Sequence, residues 1–326
     1  MFKALILNQQ DKNTTAEIQQ INESQLPENE VLIDVDYSSL NYKDGLAITG
    51  KGRIVREFPM VPGIDLAGRV IESKDARYQA GDNVVLTGWG VGESHWGGMA
   101  EKASLKADWL VPQPAGMSSK QAMMIGTAGL TAMLCVQALV DAGVTPESGE
   151  ILVTGASGGV GSTAVTLLAQ LGYQVVAVTG RVDQNSELLT QLGASRIIAR
   201  EELQEPARAL EKQLWAGAID TVGSKILAKV LAQMDYNGAV AACGLAGGFD
   251  LPTTVMPFIL RGVKLLGIDS VSCAYDKRVQ AWNRLVEILP VSFYDQACRE
   301  ITLEQTPEYA DAITNGQVTG RIVIKL

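Results

Sequence analysis

Residues 154–161, TGASGGVG, form a glycine-rich stretch whose surroundings decide the fold. It follows a short apolar run at 151–154 that predicts a buried strand, and it leads into a helical pattern at 162–171. From Ala156 to Gly161 it matches the pattern G-x-G-x-x-G, with Ala156 in place of the first glycine. Between a strand and a helix, such glycines let the backbone approach a pyrophosphate, and the free N–H groups of the helix N-terminus bind it. The stretch therefore predicts a dinucleotide site.

Strand and helix patterns alternate after this stretch. Apolar runs that predict strands lie at 175–179, 196–198, 218–221, 239–243 and 263–268, and a helix capped by Asp183 is expected to end near Gly193. Such alternation is typical of a doubly wound parallel sheet. We therefore expect an α/β fold in this part of the chain.

The first third of the chain has a different pattern. Short apolar segments at 3–8, 30–38, 68–72, 83–87 and 98–104 lie between glycine and proline turns, which predicts a mainly β domain. A last apolar strand at 321–325 can rejoin that domain. A chain of 326 residues, with 47% hydrophobic and 19% charged residues, is long enough for two globular domains.

Composition excludes several classes of partner. The chain has 36 acidic and 27 basic residues, so its net charge of −9 gives no general attraction to nucleic acid or anionic lipid. No run approaches the roughly 18 apolar residues of a spanning helix, and the first residues do not resemble a signal peptide. The four cysteines are scattered, which argues against a disulfide framework. We expect a cytoplasmic protein without nucleic-acid or membrane partners.

The end of the second predicted strand indicates the cofactor. Folds specific for NAD place an Asp or Glu there, about 20 residues after the glycines, where it binds the ribose 2′-hydroxyl. This chain has Thr179-Gly180-Arg181 at that place. A hydroxyl and a guanidinium can bind a 2′-phosphate that a carboxylate would repel, so NADPH is predicted. Arg200, after the third strand, is either a second contact to this phosphate or a solvated surface side chain.

Two segments of the β-rich domain, 41–44 (NYKD) and 62–68 (PGIDLAG), are similar to motifs of the medium-chain dehydrogenases. The zinc alcohol dehydrogenases of that superfamily have a cysteine near the Asn41 position and Gly-His-Glu at positions 63–65. Asn41 and Ile64 cannot replace those ligands, and His95 is the only histidine, so no catalytic zinc site is predicted. Without zinc, the expected reaction is reduction of an activated double bond, which needs hydride delivery and hydrogen-bond donors.

Over nearly its whole length the chain resembles the zinc-free quinone oxidoreductase branch of the medium-chain dehydrogenase/reductase superfamily, and within it the bacterial acrylyl-CoA reductases. The resemblance rests on the stretches SSLNYKDGLAITGKG, FPMVPGIDLAG, LTGWGVGESHWGGMAE, IGTAGLTAM, VTGASGGVGSTAV, AIDTVG and AACGLAGG. It implies a GroES-like catalytic domain at 1–122 and 300–326, a Rossmann NADPH-binding domain at 123–299, and a homodimer. With Gly161 of the glycine pattern, the implied cofactor contacts are Tyr42, Ser157, Gly158, Gly159, Val160, Thr179, Gly180, Arg181, Arg200, Leu245 and Asn315.

Asn41, Tyr42 and Asp44 are the predicted catalytic residues. They follow a strand, where hydrogen-bonding side chains can line a cleft beside the nicotinamide, and Tyr42 can donate a hydrogen bond or a proton. The alternatives are turn stabilisation by Asn41 and Asp44, and a buried tyrosine bonded to the backbone. Nearby, the basic residues Lys51, Arg53 and Arg56 either bind the phosphates of a coenzyme A thioester or form a solvated loop.

Three functions are compatible with these patterns. The first is NADPH-dependent reduction of a small α,β-unsaturated acyl thioester, with acrylyl-CoA as the preferred substrate. The second is NADPH-dependent reduction of a quinone. The third, from another class, is a sensor that binds NADPH without turnover.

Overall fold

The computed structural model describes residues 1–11 and 13–326, and contacts divide the chain into two units. Unit 1 comprises Met1–Thr127, Val271–Val286 and Cys298–Leu326, and unit 2 comprises Ala128–Ser270 and Glu287–Ala297. The domain limits predicted from the sequence differ from these units mainly at residues 271–286, which were predicted to lie in the second domain but belong to unit 1. The reason is local: Arg278 donates a hydrogen bond of 2.7 Å to the Thr87 carbonyl oxygen, and the Trp89 amide donates one of 3.1 Å to the Val271 carbonyl oxygen.

The strands and helices of the described residues are as follows. The strands are β1 (Phe2–Gln10), β2 (Asn13–Ile21), β3 (Val31–Leu40), β4 (Asp65–Ser73), β5 (Asn83–Thr87), β6 (Lys102–Leu105), β7 (Leu110–Pro112), β8 (Glu150–Val153), β9 (Gln174–Thr179), β10 (Arg196–Ala199), β11 (Trp215–Asp220), β12 (Met234–Ala242), β13 (Lys264–Gly267), β14 (Cys298–Thr302) and β15 (Arg321–Lys325). The helices are α1 (Tyr42–Thr49), α2 (Ser119–Asp141), α3 (Gly159–Gln170), α4 (Val182–Gln191), α5 (Ser224–Ala232), α6 (Met256–Arg261), α7 (Tyr275–Ile288), α8 (Val291–Ala297) and α9 (Thr306–Thr314).

Unit 1 is built on a mainly antiparallel sheet in the order β14-β15-β3-β4-β5-β7, with β6 also paired to β3. Alternate residues of β3, Val31, Ile33 and Val35, are buried, as expected for a strand with one face on the core. The last strand, β15, pairs with β3, so the C-terminal strand lies in the sheet of the β-rich unit, as predicted. A hairpin of β1 and β2 forms a separate small sheet.

Unit 2 contains a parallel sheet in the order β10-β9-β8-β11-β12-β13, with the strand order of a Rossmann fold. Its central strands are apolar runs, and Leu152, Val176 and Ala218 are fully buried because helices cover the sheet. The prediction of a doubly wound α/β fold is confirmed. The strand order reverses between β8 and β11, which places the ligand crevice of such folds at the carboxyl end of β8.

Helix α2 is long and apolar enough to cross a membrane by length and composition, within the described part of the chain. About three quarters of its most apolar window, 72%, is buried inside the protein. Gly126 also interrupts the helix, with a φ of 53° and a ψ of −159°. Burial of this kind is usual for core helices, so α2 is weak evidence for a membrane span.

Candidate active site

The glycine stretch forms a tight turn between β8 and α3 in unit 2. Gly155 has a φ of +59°, and a Cβ atom there would lie 2.3 Å from Thr221 Oγ1. A Cβ atom on Gly161 would lie 2.2 Å from the Gly155 carbonyl oxygen, so the first turn of α3 can pack this closely only with glycine. The residue of this turn that needs a positive φ is therefore Gly155. Ala156, the next residue, has no positive φ, which explains why alanine can stand there. The N-terminus of α3 begins at Gly159 and is available to an anion.

Asp220, at the end of β11, anchors this turn. Its carboxylate accepts hydrogen bonds of 2.7 Å from Thr154 Oγ1 and from the Gly223 amide. Thr221 Oγ1 in turn donates to the Thr154 carbonyl oxygen at 2.9 Å. Burial raises the pKa of Asp220. Asp220 is the aspartate of the stretch AIDTVG, and it holds the start of the glycine turn.

The predicted 2′-phosphate contacts lie together at the ends of β9 and β10. Ser157 Oγ and Thr179 Oγ1 are 3.1 Å apart, and the Arg181 amide donates to Thr179 Oγ1 at 3.3 Å. The guanidinium of Arg200 lies over Gly180, where a Cβ atom would be 2.7 Å from Arg200 Cζ. Arg181 is the N-cap residue of α4, whereas the sequence analysis gave that place to Asp183, which lies in the first turn.

A second feature of unit 2 is a pocket of about 490 Å³ at the carboxyl ends of β12 and β13. It is lined mainly by small and apolar groups, which include Cys243, Gly244, Leu245, Gly267 and Ile268. Leu245 is 65% exposed here. Flat apolar rings bind in such pockets, and carboxyl strand ends are the usual ligand side of this fold. Leu245 thus lies on the ligand side of the parallel sheet.

The predicted catalytic residues of unit 1 lie where β3 ends and α1 begins. Asn41 is the N-cap residue of α1, and the Asp44 carboxylate accepts a hydrogen bond of 2.8 Å from the Asn41 amide. Asp44 also accepts one of 3.0 Å from the Ile64 amide. Asp44 is 1% exposed and Asn41 is 8% exposed. Both side chains are therefore bonded inside the unit, as in the turn-stabilisation alternative.

A buried arginine from β15 completes this turn. Arg321 donates hydrogen bonds of 3.0 Å to Asn41 Oδ1 and to Ser39 Oγ. Its guanidinium lies 3.9 Å from the carboxylate of Asp65, which accepts hydrogen bonds from Ser39 Oγ at 2.6 Å, from Asn41 Nδ2 at 2.8 Å and from the Thr127 amide at 2.9 Å. We refer to Ser39, Asn41, Asp65, Thr127 and Arg321 as the Arg321–Asp65 cluster. Arg321, Ser39 and Thr127 were not predicted as site residues from the sequence.

Electrostatics in this region follow from burial. Desolvation, and then the charge of nearby Asp65, raise the pKa of Asp44 to about 7. The pKa of Arg321 is lowered by burial and held up by the charge of Asp65. A positive and a negative charge thus share one buried hydrogen-bond network, which fixes the turn that presents Tyr42.

Tyr42 differs from its two neighbours because its side chain is accessible. It is 41% exposed, and within the described residues its hydroxyl has no hydrogen-bond partner. Asn315, at the end of α9, is engaged with other residues: its amide donates to Asp311 at 3.0 Å, and Lys51 Nζ donates to its carbonyl oxygen at 3.3 Å. Tyr42 is therefore the member of the predicted catalytic set that is free to contact a ligand.

His95 has a structural environment. Its Nδ1 lies 2.8 Å from the Trp96 carbonyl oxygen and must carry the proton, because a carbonyl oxygen can only accept. Its Nε2 then accepts a hydrogen bond of 2.9 Å from Asn29 Nδ2. Burial lowers the pKa of His95, which matches this neutral form.

Within residues 1–11 and 13–326, no group of three or more His, Cys, Asp or Glu residues could hold a metal ion.

Two family models match the chain: the alcohol dehydrogenase GroES-like domain at residues 27–115, and the zinc-binding dehydrogenase domain at residues 159–288. "Probable acrylyl-CoA reductase AcuI" of Escherichia coli (strain K12) is 64% identical, and the alignment covers 100% of both chains. "Acrylyl-CoA reductase AcuI" of Ruegeria pomeroyi is 53% identical over 99% of both. YhfP of Bacillus subtilis, whose name refers to a quinone oxidoreductase, is 46% identical over 100% of this chain and 99% of that protein.

Solved structures match equally well. The yhdH oxidoreductase of Salmonella enterica in complex with NADP gives a TM-score of 0.98 at 64% identity, over 99% of both chains. E. coli K-12 YhdH with bound NADPH gives 0.97 at 64% identity, also over 99% of both. Bacillus subtilis yhfP with NAD bound gives 0.96 at 46% identity, over 100% of this chain and 99% of that one.

These matches extend over both units and include the GroES-like and the nucleotide-binding parts. Asn41 and Asp65 are both taken up by the Arg321–Asp65 cluster. The chain therefore belongs to the medium-chain dehydrogenase/reductase superfamily, in its zinc-free quinone oxidoreductase branch.

Proposed function

We propose that this protein is an NADPH-dependent reductase that converts acrylyl-CoA to propionyl-CoA. The observation that carries the proposal is the full-length similarity, at 64% and 53% identity, to proteins named as acrylyl-CoA reductases. Two features of the chain support it. The glycine turn suits a dinucleotide, and the side chains of Asn41 and Asp65 are taken up by hydrogen bonds of the Arg321–Asp65 cluster.

The residues of unit 2 fit NADPH. Gly161 lets the first turn of α3 pack directly against Gly155, and the free amides at the N-terminus of α3 suit a pyrophosphate. Thr179, Arg181 and Arg200 offer a hydroxyl and two guanidinium groups to a 2′-phosphate. We assign the pyrophosphate to Ser157, Gly158, Gly159, Val160 and Gly161, and the nicotinamide end to the pocket with Leu245. Asn315 stays a prediction from the family resemblance.

When bound, the cofactor supplies a hydride to the β-carbon of the unsaturated thioester. Negative charge then develops on the thioester oxygen, and a hydrogen-bond donor that faces this atom stabilises the transition state. We assign this role to the accessible hydroxyl of Tyr42. The α-carbon takes one proton, either from Tyr42 or from water, which gives the saturated thioester. Asn41 and Asp44 act as positioning residues, because their buried hydrogen bonds hold the turn that carries Tyr42.

We also propose a cytoplasmic homodimer. The four cysteines are free thiols, as is usual in a reducing compartment. In unit 2 the edge strand β13 and the neighbouring α6 carry exposed apolar side chains, which include Leu265, Ile259 and Leu260. An unpaired edge beside apolar side chains favours pairing with a second copy. Light scattering that gives a monomer mass at micromolar concentration contradicts this part of the proposal.

Single-turnover stopped-flow kinetics tests the activity. Protein with one equivalent of NADPH is mixed with acrylyl-CoA, a simple enone or a quinone, and loss of reduced-nicotinamide absorbance is followed while the products are identified by mass. We expect rapid oxidation with propionyl-CoA as the product, and slower oxidation of the same thioester by Tyr42→Phe. Oxidation by quinones alone favours the quinone reductase alternative. Stable NADPH with every acceptor favours the sensor.

A further inference from the structure

Unit 1 contains a pocket of about 630 Å³ whose lining residues have no role in the mechanism proposed above. It lies between the end of β1 and the segment after α1, and its lining residues are Gln9, Arg53, Val55, Arg56, Glu57 and Phe58. Its size is within the range of small-molecule and cofactor sites, roughly 300–1,000 Å³.

The walls of the pocket are held by the backbone. The Arg56 amide donates a hydrogen bond of 2.8 Å to the Glu93 carbonyl oxygen. Leu7 and Met60 exchange two backbone hydrogen bonds, of 2.7 and 3.0 Å, and these join β1 to the segment that follows Phe58. The backbone around the pocket is therefore fixed before any ligand binds, which reduces the entropy cost of binding.

Two arginine side chains in this pocket have no partner in the described residues. Neither Arg53 nor Arg56 forms a hydrogen bond or an ion pair through its guanidinium, and both are exposed. Lys51, which the sequence analysis grouped with them, is different: its Nζ lies 2.8 Å from Asp311 and 3.0 Å from Thr314 Oγ1. Only two of the three cations of the predicted basic cluster are therefore free for an anion.

We propose that this pocket binds the 3′-phosphorylated adenosine part of coenzyme A. Arg53 and Arg56 offer donors in the forked geometry that suits phosphate oxygens, and the half-buried ring of Phe58 offers a face to adenine. The amide of Gln9 can pair with the edge of the base. The inference deepens the proposed function and rests on it, because a quinone has no nucleotide to fill such a pocket.

Charge supports the assignment. The chain has a net charge of −9, so a phosphorylated ligand needs local cations. The pocket supplies two, against the single carboxylate of Glu57. The negative charge of Glu57 is expected to weaken phosphate binding. Removal of this charge should therefore strengthen binding, whereas removal of the arginine charges should weaken it.

The first test measures binding without turnover. Adenosine 3′,5′-bisphosphate is titrated calorimetrically into protein saturated with NADP⁺, so that the dinucleotide site is filled. We expect wild type to bind the bisphosphate. The double variant Arg53→Gln/Arg56→Gln should bind it about tenfold to a hundredfold more weakly, and Glu57→Gln should bind it more tightly. Arg69→Gln removes an exposed arginine of β4 that does not line the pocket, and should leave binding unchanged. Equal binding by all variants, or no binding by wild type, overturns the proposal.

The second test uses a shortened substrate. Acrylyl-pantetheine has the same thioester as acrylyl-CoA but no nucleotide. Wild type should have a lower KM for acrylyl-CoA, and the double arginine variant should raise that KM while it leaves kcat and the KM for acrylyl-pantetheine unchanged. Equal KM values for both substrates in wild type reject the pocket but keep the reductase. No turnover of either substrate rejects the proposed function, and the bisphosphate titration then decides the pocket by itself.

Discussion

The guanidinium of Arg321 and the carboxylate of Asp65 lie 3.9 Å apart inside unit 1, and each forms hydrogen bonds with Ser39 and Asn41. The pair links the last strand of the chain to the start of β4 and to the turn before Tyr42. These side-chain hydrogen bonds hold the turn that carries Tyr42.

We expect Arg321→Met to destabilise the protein strongly. The substitution leaves the buried Asp65 charge without its partner, which typically costs about 3–5 kcal/mol of unfolding free energy. Equilibrium urea unfolding measures the loss. The double variant with Asp65→Asn should lose less than the sum of the two single changes, because it removes both charges. Strict additivity, or a loss no larger than that of exposed Arg69→Met, contradicts the role of the cluster.

Stability should fall as pH rises from about 4 to 7 because of Asp44. The pKa of Asp44 is raised to about 7 in the folded protein, while the unfolded chain loses this proton near the ordinary value of 3.8. Between these values the folded state binds more protons, so each pH unit lowers the unfolding free energy, by at most about 1.4 kcal/mol. The unfolding free energy of wild type minus that of Asp44→Asn should therefore fall from pH 4 to 7 and then level off. A rise of this signed difference with pH contradicts this account.

Cofactor choice should depend on Arg181 and Arg200. Replacement of either by alanine removes a charge-assisted contact to the 2′-phosphate, so NADPH affinity should fall by about 1–3 kcal/mol while NADH affinity changes little. Fluorescence titration with both cofactors measures this. The control variant is Arg208→Ala. It removes an exposed arginine of unit 2 that is not part of the proposed cofactor site. Equal losses for NADPH and NADH would argue against the assignment.

Activity should not depend on a metal ion. The prediction follows from Asn41 and Ile64, which cannot replace zinc ligands, and from the hydrogen bonds that occupy Asp65. Exhaustive chelation should leave kcat/KM unchanged, and elemental analysis should show zinc well below one equivalent. Stoichiometric zinc that is lost together with activity refutes it.

Local patterns predicted much of this protein, since strands and the glycine turn are encoded by neighbouring residues. The strand predicted at 83–87 has the limits of β5, and the one at 321–325 those of β15. The edge strand β2 was missed because its residues are mostly polar and exposed. Asn41, Asp44 and Tyr42 were predicted together as catalytic residues, whereas in the structure Tyr42 is accessible and the other two side chains are buried.

Long-range contacts explain the other omissions. Arg321 contacts Asn41 across 280 positions of the sequence, and in sequence it is only the first residue of an apolar strand. Lys51 is paired with Asp311 across 260 positions, so its proximity to Arg53 in sequence was misleading. Arg321 is one of two charged residues in the strand RIVIK, and its sequence neighbours give no sign that it is buried.

The measurement that tests the central claim most directly is the ratio of kcat/KM for acrylyl-CoA to that for a simple quinone, with NADPH saturating and ionic strength held constant. The account predicts that the thioester is preferred by orders of magnitude, with propionyl-CoA formed in equal amount to the NADPH consumed. A preference of similar size for the quinone would contradict the thioester assignment and leave a quinone reductase on the same fold.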